Sequence, residues 1–265
     1  MLVQRAMYNN KLLNRLPQKT FSRLQPLMKL VDLPLRTVLV EPLQETSHVY
    51  FIEYGLASVT ANSPDGEVIE IGHIGREGMA GINIALMTKR VPSKTLMQMA
   101  GSGVAIRSED FSEIIEESLE AQRLLLRYAQ AYQIQLAYTA LANARYSLSQ
   151  RLARWLLMCH DRVDGDELAL THEFLSVMLG VRRSGVTEHL HVLEGLHAIR
   201  CTRALVHVRD RAKLEEIAGG CYGVPETEYE RLMEQAAEES NPTKVIEASV
   251  EAQEQRSSSR LGTTA

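Results

Sequence analysis

Residues 170–196 read LTHEFLSVMLGVRRSGVTEHLHVLEGL, and this stretch decides the fold. It has the pattern of two short helices around a glycine turn. Thr171 is placed to cap the first helix, with Glu173 favourable in its first turn. Phe174, Leu175, Met178 and Leu179 fall on one face at helical spacing. Gly180 stands where a left-handed C-cap is needed. The second helix carries Val186, Leu190 and Leu193 inward and shows Arg183, Ser184, Thr187, Glu188 and His191 on its other face. A second helix with polar side chains on its first two turns matches a helix-turn-helix, whose recognition helix enters the major groove. An ordinary helical hairpin with a solvated face gives the same local pattern. The next residues separate the two readings. Ala198 and Ile199, a basic stretch from Arg200 to Arg203, and then Leu205-Val206-His207-Val208 predict a β-hairpin with a basic turn. Together these elements make a winged helix.

Moving outward, 265 residues with 45% apolar content predict about two domains with a sizeable core. No long apolar run opens the chain, so neither a secretion signal nor a membrane span is expected, and the expected location is cytoplasmic. Cys159, Cys201 and Cys221 are scattered and odd in number, which points to a reducing compartment without a disulfide frame. The net charge of −4 is unevenly spread. Acids outnumber bases beyond Glu226, while residues 145–213 are rich in arginine and hold six of the eight histidines. Local charge governs a footprint on DNA.

Residues 11–30 have helical spacing. From Val31 the period shortens into strands at 31–33, 37–40, 48–52, 56–60, 67–71, 96–99 and 104–107, with Asp65-Gly66 as a tight-hairpin signal. Such a series predicts a small antiparallel barrel or roll. Residues 110–142 contain neither proline nor glycine and predict one long helix. Leu124, Ala131 and Tyr138 recur every seven residues, interleaved with Arg127, Ile134 and Leu141, as in a short coiled-coil seam. Packing of this helix on its own roll is the alternative. Residues 147–160 form a further helix and 211–218 a short one. The expected fold class is therefore α+β: a roll over 11–109, a dimerisation helix over 110–142, a winged helix-turn-helix over 143–222, and an acidic, partly disordered tail over 223–265.

HVYFIEYGLASV, IGHIGREGMAGI and RLARWLLMCHDRVDGDELALTHEFLSVMLGVRRSGVTEHLHVLE together resemble the Crp/Fnr family of bacterial transcription regulators, particularly a subgroup common in rhizobia. The resemblance covers residues 12–222 and is strongest over 144–193. It implies a homodimer that binds double-stranded promoter DNA at a pseudo-palindromic site and contacts RNA polymerase. The family's recognition helix reads bases with an Arg-Glu pair and an Arg four residues after that Glu. Here Arg183 is kept, Ser184 replaces the Glu, and Glu188 replaces the second Arg. Arg183 suits the O6 and N7 acceptors of guanine, Glu188 suits a cytosine amine, and Ser184 is permissive. Arg182 and Arg203, with the first amides of the recognition helix, are candidate phosphate contacts.

Cyclic-nucleotide binders of the family use a Gly-Glu pair for the ribose and an Arg-Ser/Thr pair for the cyclic phosphate. Gly75 and Glu77 stand in the first region, while Ser93 and Lys94 stand in the second, which has no arginine. A lysine offers a point charge where a planar fork is expected. The resemblance thus leaves open a cyclic nucleotide, another small ligand, or a roll that serves as scaffold or answers to a protein. No cofactor is called for. The lack of an N-terminal cysteine cluster argues against an iron–sulfur sensor. The spacing of Cys159, His160, Cys201 and His207 matches no zinc pattern, and no nucleophile–base arrangement suggests an enzyme. A sensor module acting mainly through protein contacts, with weak DNA binding, is the alternative to a DNA-binding regulator.

Overall fold

The computed structural model describes residues 7–239. The chain opens with two short helices, α1 (Lys11–Arg15) and α2 (Gln18–Leu24). Pro17 separates them, so the helical spacing over 11–30 is not one helix; strand β1 already begins at Lys29. Asn10 pins this segment to the roll. Its Oδ1 accepts from Leu13 N at 2.8 Å, and its amide donates to the carbonyls of Ile52 and Gly78, both at 2.8 Å.

The roll is built from β1 (Lys29–Leu33), β2 (Val38–Val40), β3 (His48–Asn62), β4 (Val68–Ile74), β5 (Met79–Ala80), the short helix α3 (Ile82–Ala85) and β6 (Lys94–Arg107). All pairs are antiparallel, in the order β1-β6-β3-β4, with β2 on β6 and β5 on β3. The strands expected at 48–52 and 56–60 are one long strand, as are those at 96–99 and 104–107. Register shifts between Ile52 and Ala57 let β3 and β6 bend past one another. Glycine is required at that crossing, because a Cβ on Gly101 would stand 1.9 Å from Tyr54 O. The Asp65-Gly66 turn is wider than a two-residue hairpin, since the ladder closes at Asn62 and Val68.

Two helices follow, α4 (Ser108–Glu116) and α5 (Leu119–Arg145). The single helix expected over 110–142 is therefore broken. Ser118 is the reason: its hydroxyl accepts from Ala121 N, caps α5, and is held by Thr20 Oγ1 at 2.9 Å. The expected seam is also partly wrong in register. Leu124 and Ala131 are buried in the core that the roll shares with α1, α2 and α4, so this row faces the chain's own interior. Arg127, Ile134 and Tyr138 are half-buried, and only Leu141 of the expected seam is exposed. The exposed row is Leu126, Gln130, Gln133, Ala137, Ala140 and Ala144.

The C-terminal body comprises α6 (Leu148–His160), β7 (Glu167–Leu168), α7 (His172–Leu179), α8 (Arg183–Gly195), β8 (Ile199–Thr202), β9 (Leu205–Val208) and α9 (Arg211–Ala218). Ser147 and Gln150 form a reciprocal capping box at the start of α6. The sheet order β7-β9-β8 makes the wing three-stranded. A last helix, α10 (Val224–Glu239), lies in the segment read from sequence as the start of an acidic tail. Leu232, Met233 and Ala236 bury it in the same core as α5. The rest of that expected tail, from residue 240, lies outside the described residues. Among the described residues, no helix is long and apolar enough to cross a membrane.

Candidate nucleic-acid interface

The helix pair forms for the local reasons legible in its sequence. Thr171 Oγ1 accepts from Phe174 N at 3.1 Å, and Gly180 closes α7 at φ +62°. That left-handed geometry strains any residue with a Cβ. Val186, Leu190 and Leu193 of α8 are fully buried against Leu175, Met178 and Leu179 of α7, in a core shared with Trp155 and Val206. Burying one such aliphatic side chain stabilises by roughly 1.5–3 kcal/mol, so the face that turns inward is strongly specified.

The opposite face of α8 is left to solvent. Arg182, Arg183, Ser184, Glu188 and His191 are exposed together. Arg183 is 68% exposed and forms a long pair with Glu173, at 3.9 Å. Such a surface pair is worth little. Thr187 is half-buried; its hydroxyl donates to Arg183 O at 3.1 Å and lies 2.9 Å from His172 Nδ1, so it positions the helix. Burial and the nearby Arg183 hold the His172 imidazole below the usual histidine range, favouring the neutral ring. No side chain caps α8, and uncapped N-terminal amides suit a phosphate. Arg203 stands exposed at the wing tip beside Ala204, which adopts φ +59°.

The proposed ligand residues are not gathered into one site. Gly75 N donates to Glu77 Oε1 at 3.2 Å. The same oxygen takes Arg162 Nε at 2.7 Å, in a pair only 8% and 15% exposed. The Glu77 carboxylate is therefore engaged by the residue that follows α6. Lys94 lies at the start of β6 and faces Glu41 at 3.8 Å, and Ser93 precedes it in the loop. A cavity of about 280 Å³ is lined by Glu77 but by neither Ser93 nor Lys94. Neither Ser93 nor Lys94 carries a guanidinium.

Sequence reasoning missed how tightly the roll grips the winged body. Trp155 Nε1 donates to Glu70 Oε1 at 2.6 Å, a bond buried at both ends, and Ser58 also donates to Glu70. Arg76 pairs with Asp164 at 2.6 Å. Leu56 and Met99 of the roll belong to the winged body's core. From α10, Tyr229 donates its hydroxyl to Glu77 O at 2.7 Å. A run of acids masked α10 in the sequence; the usable signal was the apolar spacing of Tyr229, Leu232, Met233 and Ala236. Among the described residues, no cluster of three or more histidine, cysteine or acidic side chains is arranged to hold a metal.

Comparison with known proteins agrees with this geometry. Residues 150–217 match the Crp-like helix-turn-helix domain. No curated protein sequence matches the chain. Among solved structures, FixK2 from Bradyrhizobium japonicum is similar at a TM-score of 0.63 and 14% identity, over 73% of this chain and 98% of that one. TTHB099, a CRP-family transcriptional regulator from Thermus thermophilus, gives 0.60 and 21%, over 72% and 97%. The c-di-GMP-responsive global regulator CLP of Xanthomonas campestris gives 0.56 and 17%, over 72% and 99%. The chain thus has the Crp/Fnr-type fold, with a helix-turn-helix domain of the Crp type.

Proposed function

We propose, from the Crp-like helix-turn-helix domain at residues 150–217, that the protein is a cytoplasmic, homodimeric, sequence-specific regulator of transcription and not an enzyme. The observation that carries this reading is the exposed, arginine-led face of α8, held by a helix whose other face is fully buried. Arg183 reads guanine, Glu188 reads cytosine, and Ser184 tolerates several bases. Arg182, Arg203 and the first amides of α8 hold phosphates, while His191 lies farther along the same face. The promoter site then differs from one read by an Arg-Glu-Arg helix.

Two recognition helices reach half-sites about one DNA turn apart only in a dimer. The dimer face is the exposed row of α5: Leu126, Gln133 and Ala140, interleaved with Gln130, Ala137 and Ala144. It repeats every seven residues and is small toward its C-terminal end, as close helix pairing requires. RNA polymerase is the expected protein partner. The roll serves as the sensor, and cyclic nucleotide is disfavoured because Glu77 is already paired with Arg162 and no arginine stands at 93–94.

Selection of bound DNA from a random pool, followed by mobility-shift titration, tests the reading. A salt-sensitive shift confined to an inverted repeat is expected. Its absence at nanomolar to micromolar protein overturns the proposal. The acids Glu173 and Glu188 beside Arg183 favour a second reading, in which the chain acts mainly through protein contacts. Regulation surviving the paired changes Arg182→Ala and Arg183→Ala would select it.

A further inference from the structure

The cavity beside Glu77 is lined by Lys11 of α1 and by four further parts of the chain. The roll supplies His73 and Glu77, α5 supplies Tyr128, Ala131, Tyr132 and Gln135, the segment after α6 supplies Asp161 and Arg162, and α10 supplies Glu226 and Tyr229. Tyr222 completes an aromatic wall with Tyr128, Tyr132 and Tyr229. The volume of about 280 Å³ lies near the lower limit of small-molecule sites, roughly 300–1,000 Å³, and suits one or two rings rather than a nucleotide.

Two wall residues carry polar atoms without a hydrogen-bond partner, Tyr132 Oη and His73 Nδ1, but both atoms are sealed off from the cavity as well as from solvent. The cations of the wall are all committed. Arg162 holds Glu77 and donates to Met158 O at 2.8 Å, and Lys11 faces Glu230 at 3.8 Å. From outside the wall, Arg211 pairs with Asp161 at 2.8 Å and Arg15 with Glu230 at 3.7 Å. Glu226 accepts a backbone amide, from Gly223 at 3.1 Å. An anion entering here finds no uncommitted partner among these groups, whereas a neutral or cationic ring finds tyrosine faces and a surplus carboxylate.

We propose that this interdomain cavity binds a small planar ligand, uncharged or carrying one positive charge, through its tyrosine wall and its surplus carboxylate. The binding claim stands on the cavity alone; its consequence for DNA rests on the function proposed above. Because the roll, the winged body and α10 all contribute walls, occupancy biases the contact between the sensor and the DNA reader.

Calorimetric titration of the full chain with benzamidine, benzamide and benzoate compares one ring at three charges, with cyclic AMP as a fourth probe. Saturable binding of benzamidine and benzamide is expected, with benzoate about tenfold weaker than benzamidine. Ala131→Leu fills the cavity and should abolish benzamidine binding; because Ala131 also borders the core, its denaturation midpoint should fall, and circular dichroism at 25 °C checks that the chain is still folded. Glu226→Gln keeps the acceptor for Gly223 N, removes the wall's surplus charge, and should weaken benzamidine while leaving benzamide unchanged. Absence of saturable benzamidine and benzamide binding, benzoate or cyclic AMP binding as tightly as benzamidine, or unaltered benzamidine affinity in both variants overturns the proposal. Loss of DNA binding with benzamidine binding intact would count against the regulator reading alone.

Discussion

Arg183 has almost nothing to do in the free protein. Its guanidinium is exposed, and its pair with Glu173 is long. Arg183→Ala should therefore leave stability unchanged while costing about 1–3 kcal/mol of binding to the selected DNA site and little on random DNA, as measured by competition mobility shift. The polar face of α8 was legible because it follows from spacing alone once Val186, Leu190 and Leu193 are assigned inward. Glu77 was legible only as a carboxylate near glycines. Its partner Arg162 lies eighty-five residues away, and no local pattern in the sequence announces an ion pair over that separation. The same limit hid the bond from Trp155 to Glu70, although both residues sit in well-predicted elements.

Among the elements, those set by short-range chemistry were read well and those set by packing were not. Thr171, Gly180 and the capping box at Ser147 declare helix ends directly. Gly180→Ala tests one of these. Its Cβ would stand 3.4 Å from Ile69 Cδ1, an ordinary contact, so the expected loss of about 1–2 kcal/mol comes from the left-handed backbone. Urea denaturation measures it, and Gly180→Asn should lose less. The long helix shows the opposite case. α5 is apolar on more than one side, so two seven-residue rows compete as a seam. Periodicity cannot say which one meets the chain's own roll, and burial of Leu124 and Ala131 decides it. The break at Ser118 was also masked, because serine is compatible with a helix interior and only the contact with Thr20 makes it a cap.

At the scale of the whole molecule, the roll and the DNA-binding body are joined by a shared core and by the Glu77–Arg162 pair. Arg162→Met strands the Glu77 carboxylate and should destabilise the chain by about 3–5 kcal/mol in urea denaturation. Combining it with Glu77→Gln removes the stranded charge and should restore part of that loss, giving a clear coupling energy in the double-mutant cycle.

The return of α10 to α5 gives the architecture a further property. The DNA-binding body enters from the end of α5 and leaves into a helix seated on that same helix, with Met233 fully buried there. A body hung from a single cord can tumble in every direction. One suspended between two nearby moorings swings like a gate, about the line that joins them. Here the core shared with the roll and the buried Trp155–Glu70 bond latch that gate shut.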